Sequence, residues 1–291
     1  MRGGYATTNG IRMFFVEEGR GPLVLLCHGF PEIWYSWRHQ LAPLAAAGYR
    51  AVAVDLPGYG RSDKPDVAYD MEWVNACLAG LIEALGHERA VMVGHDWGGL
   101  LVWPFARRHP HRTAGVIGVN TPDLPRPPIP PVQVMRQAFD PPIYIVQLQD
   151  RGAAEWVMSW GRGARDFLEL MFRGPATVNV DAFPDEVIDV YAWAFEPVGA
   201  FTPPFEYYRN LDRSWHLSAD VADVRVDVPC LMISAADDPV LMPMMTMGME
   251  ERVPNLQRVV IPDCGHWTQQ ERPTETTAAM LTYLATLPSW A

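Results

Sequence analysis

A doubly wound, mostly parallel α/β sheet carrying one helical insertion is the fold this sequence predicts, on three observations. Short, continuous apolar runs alternate with helical stretches toward both ends of the chain. A proline-rich stretch opens a central region without strand signals. A glycine-bounded turn, Gly94-His95-Asp96-Trp97-Gly98, joins one apolar run to the helix that follows.

The runs Leu23-Val24-Leu25-Leu26, Ala51-Val52-Ala53-Val54, Ala90-Val91-Met92-Val93 and Gly115-Val116-Ile117-Gly118-Val119 have the length of strands. Unbroken apolarity suits parallel strands covered on both faces. Two more runs come late, Cys230-Leu231-Met232-Ile233 and Arg258-Val259-Val260-Ile261. Between the early runs, Asp70 suits a helix N-cap, and Val74, Cys77, Leu78, Leu81, Ile82 and Leu85 mark one helical face closed by Gly86. Leu100 to Arg108 reads as a second helix, and the last helix begins near Thr274 and passes Met280 and Leu284. The alternation stops from Pro122 to Val228. There, prolines 122–131 lead into helix-like segments dense in Trp, Tyr, Phe and Met, most of which read as packing. The expected division is a core of residues 1–121 and 229–291, with residues 122–228 as a helical insertion folded over the sheet edge where the strands end.

A chain of 291 residues accommodates one large catalytic domain with a smaller insertion. Its net charge of −11 argues against nucleic acid and anionic membranes, both of which call for basic patches. Cys27, Cys77, Cys230 and Cys264 are too scattered for a metal pair, a redox pair or a disulfide framework. Cys27 and Cys230 lie in apolar runs and are expected to be buried thiols. No apolar stretch follows the charge at Arg2, so no signal peptide is expected. No apolar run approaches the roughly 18 residues of a membrane span, and cytoplasmic placement is expected.

The most informative segment is Val93-Gly94-His95-Asp96-Trp97-Gly98-Gly99. It follows an apolar run and precedes a helix, the setting in which a small-x-nucleophile-x-small turn pushes one side chain into an active site. Gly94 and Gly98 remove Cβ atoms that would clash across that turn. Serine is the usual central residue; here it is Asp96. A carboxylate is not acylated productively, but it attacks saturated carbon to form an alkyl ester. Such chemistry needs an epoxide oxygen or a halide as leaving group. The helix start behind Asp96 favours its anionic form. Reading Asp96 as an incidental acid in a glycine-rich turn leaves the strand-turn-helix setting without a purpose. Pro104 falls inside the following helix, where it deletes a hydrogen bond and is expected to kink it.

Chains with such a turn carry the order nucleophile, acid, histidine. His266, in Cys264-Gly265-His266-Trp267 after the last apolar run, is the candidate base that activates water against an ester. The remaining histidines fit less well: His28 and His95 sit inside motifs but one layer behind the reacting groups, His109 and His111 at a helix end, and His87 in a loop. For the acid, Ala235-Ala236-Asp237-Asp238-Pro239 supplies two candidates. Asp238 is preferred because it precedes a turn-forming proline and lies 28 residues before His266; Asp237 and Asp123 are the alternatives. The acid's task is to orient the imidazole and stabilise its cation. Upstream, His28-Gly29-Phe30-Pro31-Glu32 follows an apolar run, and the Phe30 amide together with that of Trp97 suits an oxyanion hole.

With these residues assembled, the chain resembles the soluble epoxide hydrolases of the α/β-hydrolase fold over nearly its whole length. The likeness rests on His28-Gly29-Phe30-Pro31-Glu32, Asp55-Leu56-Pro57-Gly58-Tyr59-Gly60-Arg61-Ser62, Gly94 to Gly99 and Cys264 to Trp267. It implies a helical cap carrying two tyrosines, matched by Tyr144 and Tyr208, which hold and protonate the epoxide oxygen. Asp150-Arg151-Gly152 departs from the family's more usual Glu-Pro-Gly, a change expected to alter a turn and leave the chemistry alone. Tyr35, Tyr191 and Tyr207 read as packing residues.

The resemblance implies attack of Asp96 on an epoxide carbon, then hydrolysis of the ester by water that His266 deprotonates with Asp238 behind it. The product is a vicinal diol. Phe30, Pro31, Trp34, Trp97, Leu148 and Trp267 are the expected substrate contacts, so a small hydrophobic epoxide and water are the expected partners. Neither a metal nor an organic cofactor is expected, and a homodimer is compatible with the sequence. Two rivals stand beside this reading. Haloalkane or haloacid dehalogenases share the aspartate and histidine; however, Phe30 replaces their polar residue after His-Gly, and Trp97 follows Asp96 with Arg107 and Arg108 turns away. A non-catalytic ligand-binding relative is the other, although nucleophile, base, acid and oxyanion loop are all present.

Overall fold

The computed structural model of the protein describes residues 1–141, 143–158 and 163–290. Its eight strands are β1 (Arg2–Thr8), β2 (Ile11–Glu18), β3 (Leu23–Cys27), β4 (Arg50–Val54), β5 (Ala90–His95), β6 (Thr113–Val119), β7 (Cys230–Ala235) and β8 (Leu256–Ile261). They form one sheet in the order β1-β2-β4-β3-β5-β6-β7-β8. β1 and β2 pair antiparallel, as do β2 and β4, and every other pairing is parallel. All six expected strands are present, most of them a residue or more longer. The hairpin β1–β2 has no counterpart in the sequence reading. Its turn is Asn9-Gly10, both with positive φ (47° and 81°), which is the backbone that a two-residue hairpin requires.

The strands β3, β5, β6 and β7 are buried on both faces, which explains their unbroken apolarity. Helices α1 (Arg38–Ala46), α2 (Met71–Ala84), α3 (Trp97–Arg108), α11 (Thr268–Glu271) and α12 (Pro273–Leu284) cover them. One apolar cluster joins α2 and α3 to the sheet through residues such as Leu78, Leu81, Trp103 and Phe105. The other joins α1 and α12 to the opposite face through Trp37, Leu41, Met280 and Tyr283. Asp70 caps α2 as expected, accepting from the Trp73 amide at 2.9 Å. Helix α3 runs through Pro104, and the neighbouring Trp103 and Phe105 are fully buried, so packing offsets the lost hydrogen bond.

Between β6 and β7 the described residues contain only helices: α4 (Pro131–Ala138), α5 (Tyr144–Gln147), α6 (Ala153–Met158), α7 (Gly163–Arg173), α8 (Asp185–Phe195), α9 (Thr202–Arg209) and α10 (Leu211–Leu217), with two short 3₁₀ turns. Their aromatic side chains, among them Phe172, Phe183, Tyr191, Phe195, Phe201 and Phe205, belong to the same apolar cluster as α2 and α3. The helical layer therefore rests on the sheet domain through a shared core. In the sheet, the chain leaves β3 toward β4 on one side and leaves β5 toward β6 on the other. A crevice opens at the carboxyl ends of strands where direction switches in this way, and ligands bind there in α/β sheets. No helix among the described residues is long and apolar enough to cross a membrane.

Candidate active site

Asp96 sits between the last residue of β5 and the first of α3, with φ 48° and ψ −115°. For a non-glycine residue this backbone is strained, of the order of 1–3 kcal/mol, and only tight surroundings hold it. Those surroundings are the glycines. A Cβ on Gly98 would lie 2.1 Å from the Cys27 carbonyl oxygen, one on Gly94 would lie 2.2 Å from that of Gly98, and one on Gly29 would lie 2.4 Å from the Asp96 Cβ. The Asp96 carbonyl accepts from the Leu100 amide at 3.0 Å and the Thr121 hydroxyl at 2.9 Å, which locks the turn from below.

The two carboxylate oxygens of Asp96 have different surroundings. Oδ1 accepts the Phe30 amide at 2.7 Å, and the Trp97 amide also donates to the carboxylate. Oδ2 lies 3.9 Å from His266 Nε2. Burial raises the Asp96 carboxyl above the ordinary carboxylate range, while His266, His95 and the two amides pull it back. The expected oxyanion donors thus already hold one oxygen and leave the other beside His266.

His266 Nδ1 meets Asp238 Oδ2 at 2.9 Å. Asp238 is buried, and its Oδ1 accepts the amides of Val240 and Leu241 at 2.8 and 3.0 Å. Burial works to raise this carboxyl, but the His266 hydrogen bond and charge override it and bring it down to about 2. Asp237 is exposed to solvent. Asp123 is committed elsewhere, accepting both guanidinium arms of Arg107 at 2.6–2.7 Å and Arg252 at 3.0 Å. Of the three acids considered, Asp238 is therefore the one brought to His266.

Two phenols of the helical layer lie close enough to Asp96 to feel its charge. Tyr208, 3% exposed, packs edge-on against Trp97 (ring centroids 4.9 Å) and Phe30 (5.4 Å). Tyr144 lies 5.7 Å from it, ring to ring. Tyr144 is 44% exposed as a residue, and its hydroxyl lies close enough to Asp96 to feel that charge. Burial first, and then the Asp96 charge, push its pKa up to about 12. Burial, Tyr144 and Asp96 move Tyr208 upward as well. Both remain protonated donors across the physiological range.

Short α5, which begins at Tyr144, is tied to α9, which carries Tyr208. Gln149 donates to the Tyr208 carbonyl at 3.1 Å, and Arg209 donates to the Leu148 carbonyl at 2.8 Å while pairing with Glu155 and Glu206. In the unusual Asp150-Arg151-Gly152 turn, Arg151 pairs with Glu206 at 2.7 Å. The departure from the family pattern thus reinforces the seam between α5 and α9. Tyr207 donates to the Pro57 carbonyl at 2.7 Å, Tyr191 bonds Gln270 at 2.8 Å, and Tyr35 lies under Arg38, all packing roles as expected.

Phe30 meets Phe167, Phe205 and Tyr208 at 5.4–5.9 Å, giving the site an aromatic wall. Trp267 is fully buried between His266 (4.8 Å) and Phe172 (4.6 Å). Pro31 and Leu148 are buried, while Trp34 packs on Tyr35 in the 3₁₀ turn before α1. Arg107 and Arg108 are held by Asp123 and by Glu72 with Asp220 respectively, so neither serves as a clamp for a substrate carboxylate. An open hollow of about 670 Å³ between Lys64, Trp193, Val198 and Glu206 contains none of these groups. Among the described residues no three His, Cys, Asp or Glu side chains converge as a metal site.

Sequence reasoning set His28 and His95 behind the reacting groups but missed Glu32 and Asn120 beside them. Glu32, wholly buried, accepts the Gly29 amide at 2.9 Å and contacts His95 Nδ1 at 2.8 Å, while His95 Nε2 reaches the His266 carbonyl at 2.7 Å. Burial alone would lower His95, but Glu32 overrides it and raises it to about 9, so a buried ion pair spans the oxyanion loop and the base. By contrast, burial lowers His28 to about 4, and it is neutral. Asn120 donates to Asp238 at 2.6 Å and to the His266 carbonyl at 3.0 Å, from a positive φ of 60°. Only the position of Asn120 just past an apolar run hinted at this.

Comparison with known proteins agrees with this geometry. Residues 22–172 match the family model of the α/β hydrolase fold. Epoxide hydrolase A of Mycobacterium tuberculosis is 39% identical, with 96% of each chain covered. Bifunctional epoxide hydrolase 2 of Mus musculus is 37% identical over 97% of this chain, which spans 55% of the length of that relative. The crystal structure of epoxide hydrolase A from Mycobacterium thermoresistibile superposes with a TM-score of 0.90 at 36% identity, covering 99% of both chains. An epoxide hydrolase from Vigna radiata superposes with a TM-score of 0.91 at 28% identity over 98% of each. The chain belongs to the epoxide hydrolase family of the α/β-hydrolase fold.

Proposed function

We propose that the protein opens small hydrophobic epoxides to vicinal diols through an ester on Asp96. The observation that carries this reading is the asymmetry of the Asp96 carboxylate: Oδ1 rests on the Phe30 amide, Oδ2 lies beside His266, and two protonated phenols stand close enough to feel the Asp96 charge. In the first half, Oδ2 attacks an epoxide carbon and the C–O bond breaks. The departing alkoxide is a poor leaving group whose charge needs hydrogen-bond donors. Tyr144 and Tyr208 hold it, and one of them transfers its proton. In the second half, His266 Nε2 takes a proton from water, which adds to the Asp96 carbonyl carbon. The resulting oxyanion sits on Oδ1 against the Phe30 and Trp97 amides. The ester then collapses, the diol leaves with a proton from His266, the proton that the added water left on the Asp96 carboxyl restores the tyrosine, and Asp238 balances the imidazolium while it exists.

In the same proposal residues 1–121 and 229–291 are the catalytic domain and residues 122–228 its cap. Placement in the cytoplasm also belongs to it, supported by four buried unpaired thiols. Phe replacement of both Tyr144 and Tyr208 tests the choice of epoxide over halide. Ring opening is expected to fall by at least about a thousandfold, since each positioned proton donor contributes roughly 10²–10⁴ in rate. Undiminished epoxide turnover in the double variant, or halide release from haloalkanes without epoxide turnover, refutes the reading.

A further inference from the structure

Behind the site, the short α11 packs against α1 and the 3₁₀ turn Trp34–Trp37 that precedes it, and both sides of this seam carry buried polar atoms. Ser36 Oγ, Trp37 Nε1 and Gln40 Oε1 from one side and Gln269 Oε1 and Arg272 Nε from the other are buried and have no protein partner. Ser36, Trp37, Gln40 and Gln269 are themselves fully buried. Rotating the amides does not remove the problem. Gln40 Nε2 donates to the Gln269 carbonyl at 3.0 Å, and Gln269 Nε2 donates to Glu32 Oε1 at 2.9 Å, so each amide has its nitrogen fixed and its oxygen left without a protein partner. Donors and acceptors are both represented, and a buried water satisfies about three such groups at once.

We propose that the α1–α11 seam is a buried hydration site, in which bound water molecules bridge Ser36, Trp37, Gln40 and Gln269 and connect Glu32 to solvent beside Arg272. The guanidinium of Arg272, 29% exposed and paired with Glu275, marks the outer end. Glu32 marks the inner end. Its Oε1 accepts Gln269 and Gln270, its Oε2 accepts the Gly29 amide and His95, and His95 reaches the His266 carbonyl. Water in the seam anchors the free oxygen of Gln269 and so fixes the amide that steadies Glu32. Gln269 is then a positioning residue for the oxyanion loop and the base, acting chiefly on ester hydrolysis. That kinetic role rests on the epoxide hydrolase reading above; the hydration site does not.

The structural test is a high-resolution crystal structure of the full chain. Ordered waters bonded to Trp37 Nε1, Gln40 Oε1 and Gln269 Oε1 are expected. A dry seam in which these atoms bond one another overturns the proposal. Ser36→Ala, a small change that preserves packing, is expected to lose the water held by Oγ; an unchanged water pattern counts against the site. The kinetic test is Gln269→Met under single-turnover conditions. The ester is expected to hydrolyse about tenfold more slowly, as for loss of one hydrogen bond to a charged group, with its formation unchanged. Equal slowing of both halves, or of neither, overturns the positioning role. Wild-type conversion of epoxides to diols separately tests the underlying function.

Discussion

At Asp96, burial and hydrogen bonding act against each other, and their balance sets the acid side of the reaction. Burial raises the carboxyl, and only its anion attacks carbon. Ester formation is therefore expected to fade on acidification at a pH above the ordinary carboxylate range, measured as the single-turnover alkylation rate against pH. Asp238 behaves oppositely. Its carboxyl at about 2 lies below its unfolded value of 3.8, so its contribution is present above pH 3.8 and lost as pH falls through 2. The difference corresponds to about 2 kcal/mol. Asp238→Asn is expected to remove that acid-side stability in denaturation curves, and to slow ester hydrolysis by orders of magnitude so that the alkyl-enzyme accumulates. His95 is raised from 6.5 to about 9. Its ion pair with Glu32 is therefore fully present below pH 6.5 and lost as pH rises through 9. Thermal stability is expected to fall between pH 7 and pH 10, and His95→Gln is expected to flatten that fall.

Among secondary-structure elements, the decisive ones are those that hold charged or strained groups in place. Asp70 both caps α2 and pairs with Arg213 of α10 at 2.7 Å, joining the sheet domain to the inserted helices. Asp70→Ala is expected to cost about 1–2 kcal/mol, mostly from the cap, as read from a denaturation midpoint. Gly98→Ala drives a Cβ to 2.1 Å from backbone oxygen, and loss of soluble folded protein is expected. The turn around Asp96, the cap at Asp70 and the doubly buried strands were legible in the sequence because each depends on neighbours within a few residues. The Glu32–His95 pair and Asn120 were not. Their partners lie 63 and 118 residues away along the chain, and nothing local distinguishes a buried ion pair from a surface one. The hairpin β1–β2 left a local signal in Asn9-Gly10, but its edge strand alternates in burial and carries Gly3 and Gly4, which masks the pattern.

Across the whole molecule, the sheet brings five loops to one crevice: Phe30 after β3, Asp96 after β5, Asn120 after β6, Asp238 after β7 and His266 after β8. The inserted helices complete it from above with Tyr144 and Tyr208. In the proposed reaction this division assigns nucleophile and water activation to the sheet domain and leaving-group protonation to the helices, and the chain order of the sheet-borne groups was readable because strand order fixes it. The proposed reaction turns on a covalent bond between substrate and Asp96, which single-turnover epoxide opening in oxygen-18 water tests most directly. The first diol is expected to carry an unlabelled oxygen from Asp96, with the label left in the Asp96 carboxylate. Label in every first-turnover diol, with none in Asp96, would mean that water opens the ring directly and would contradict the covalent route.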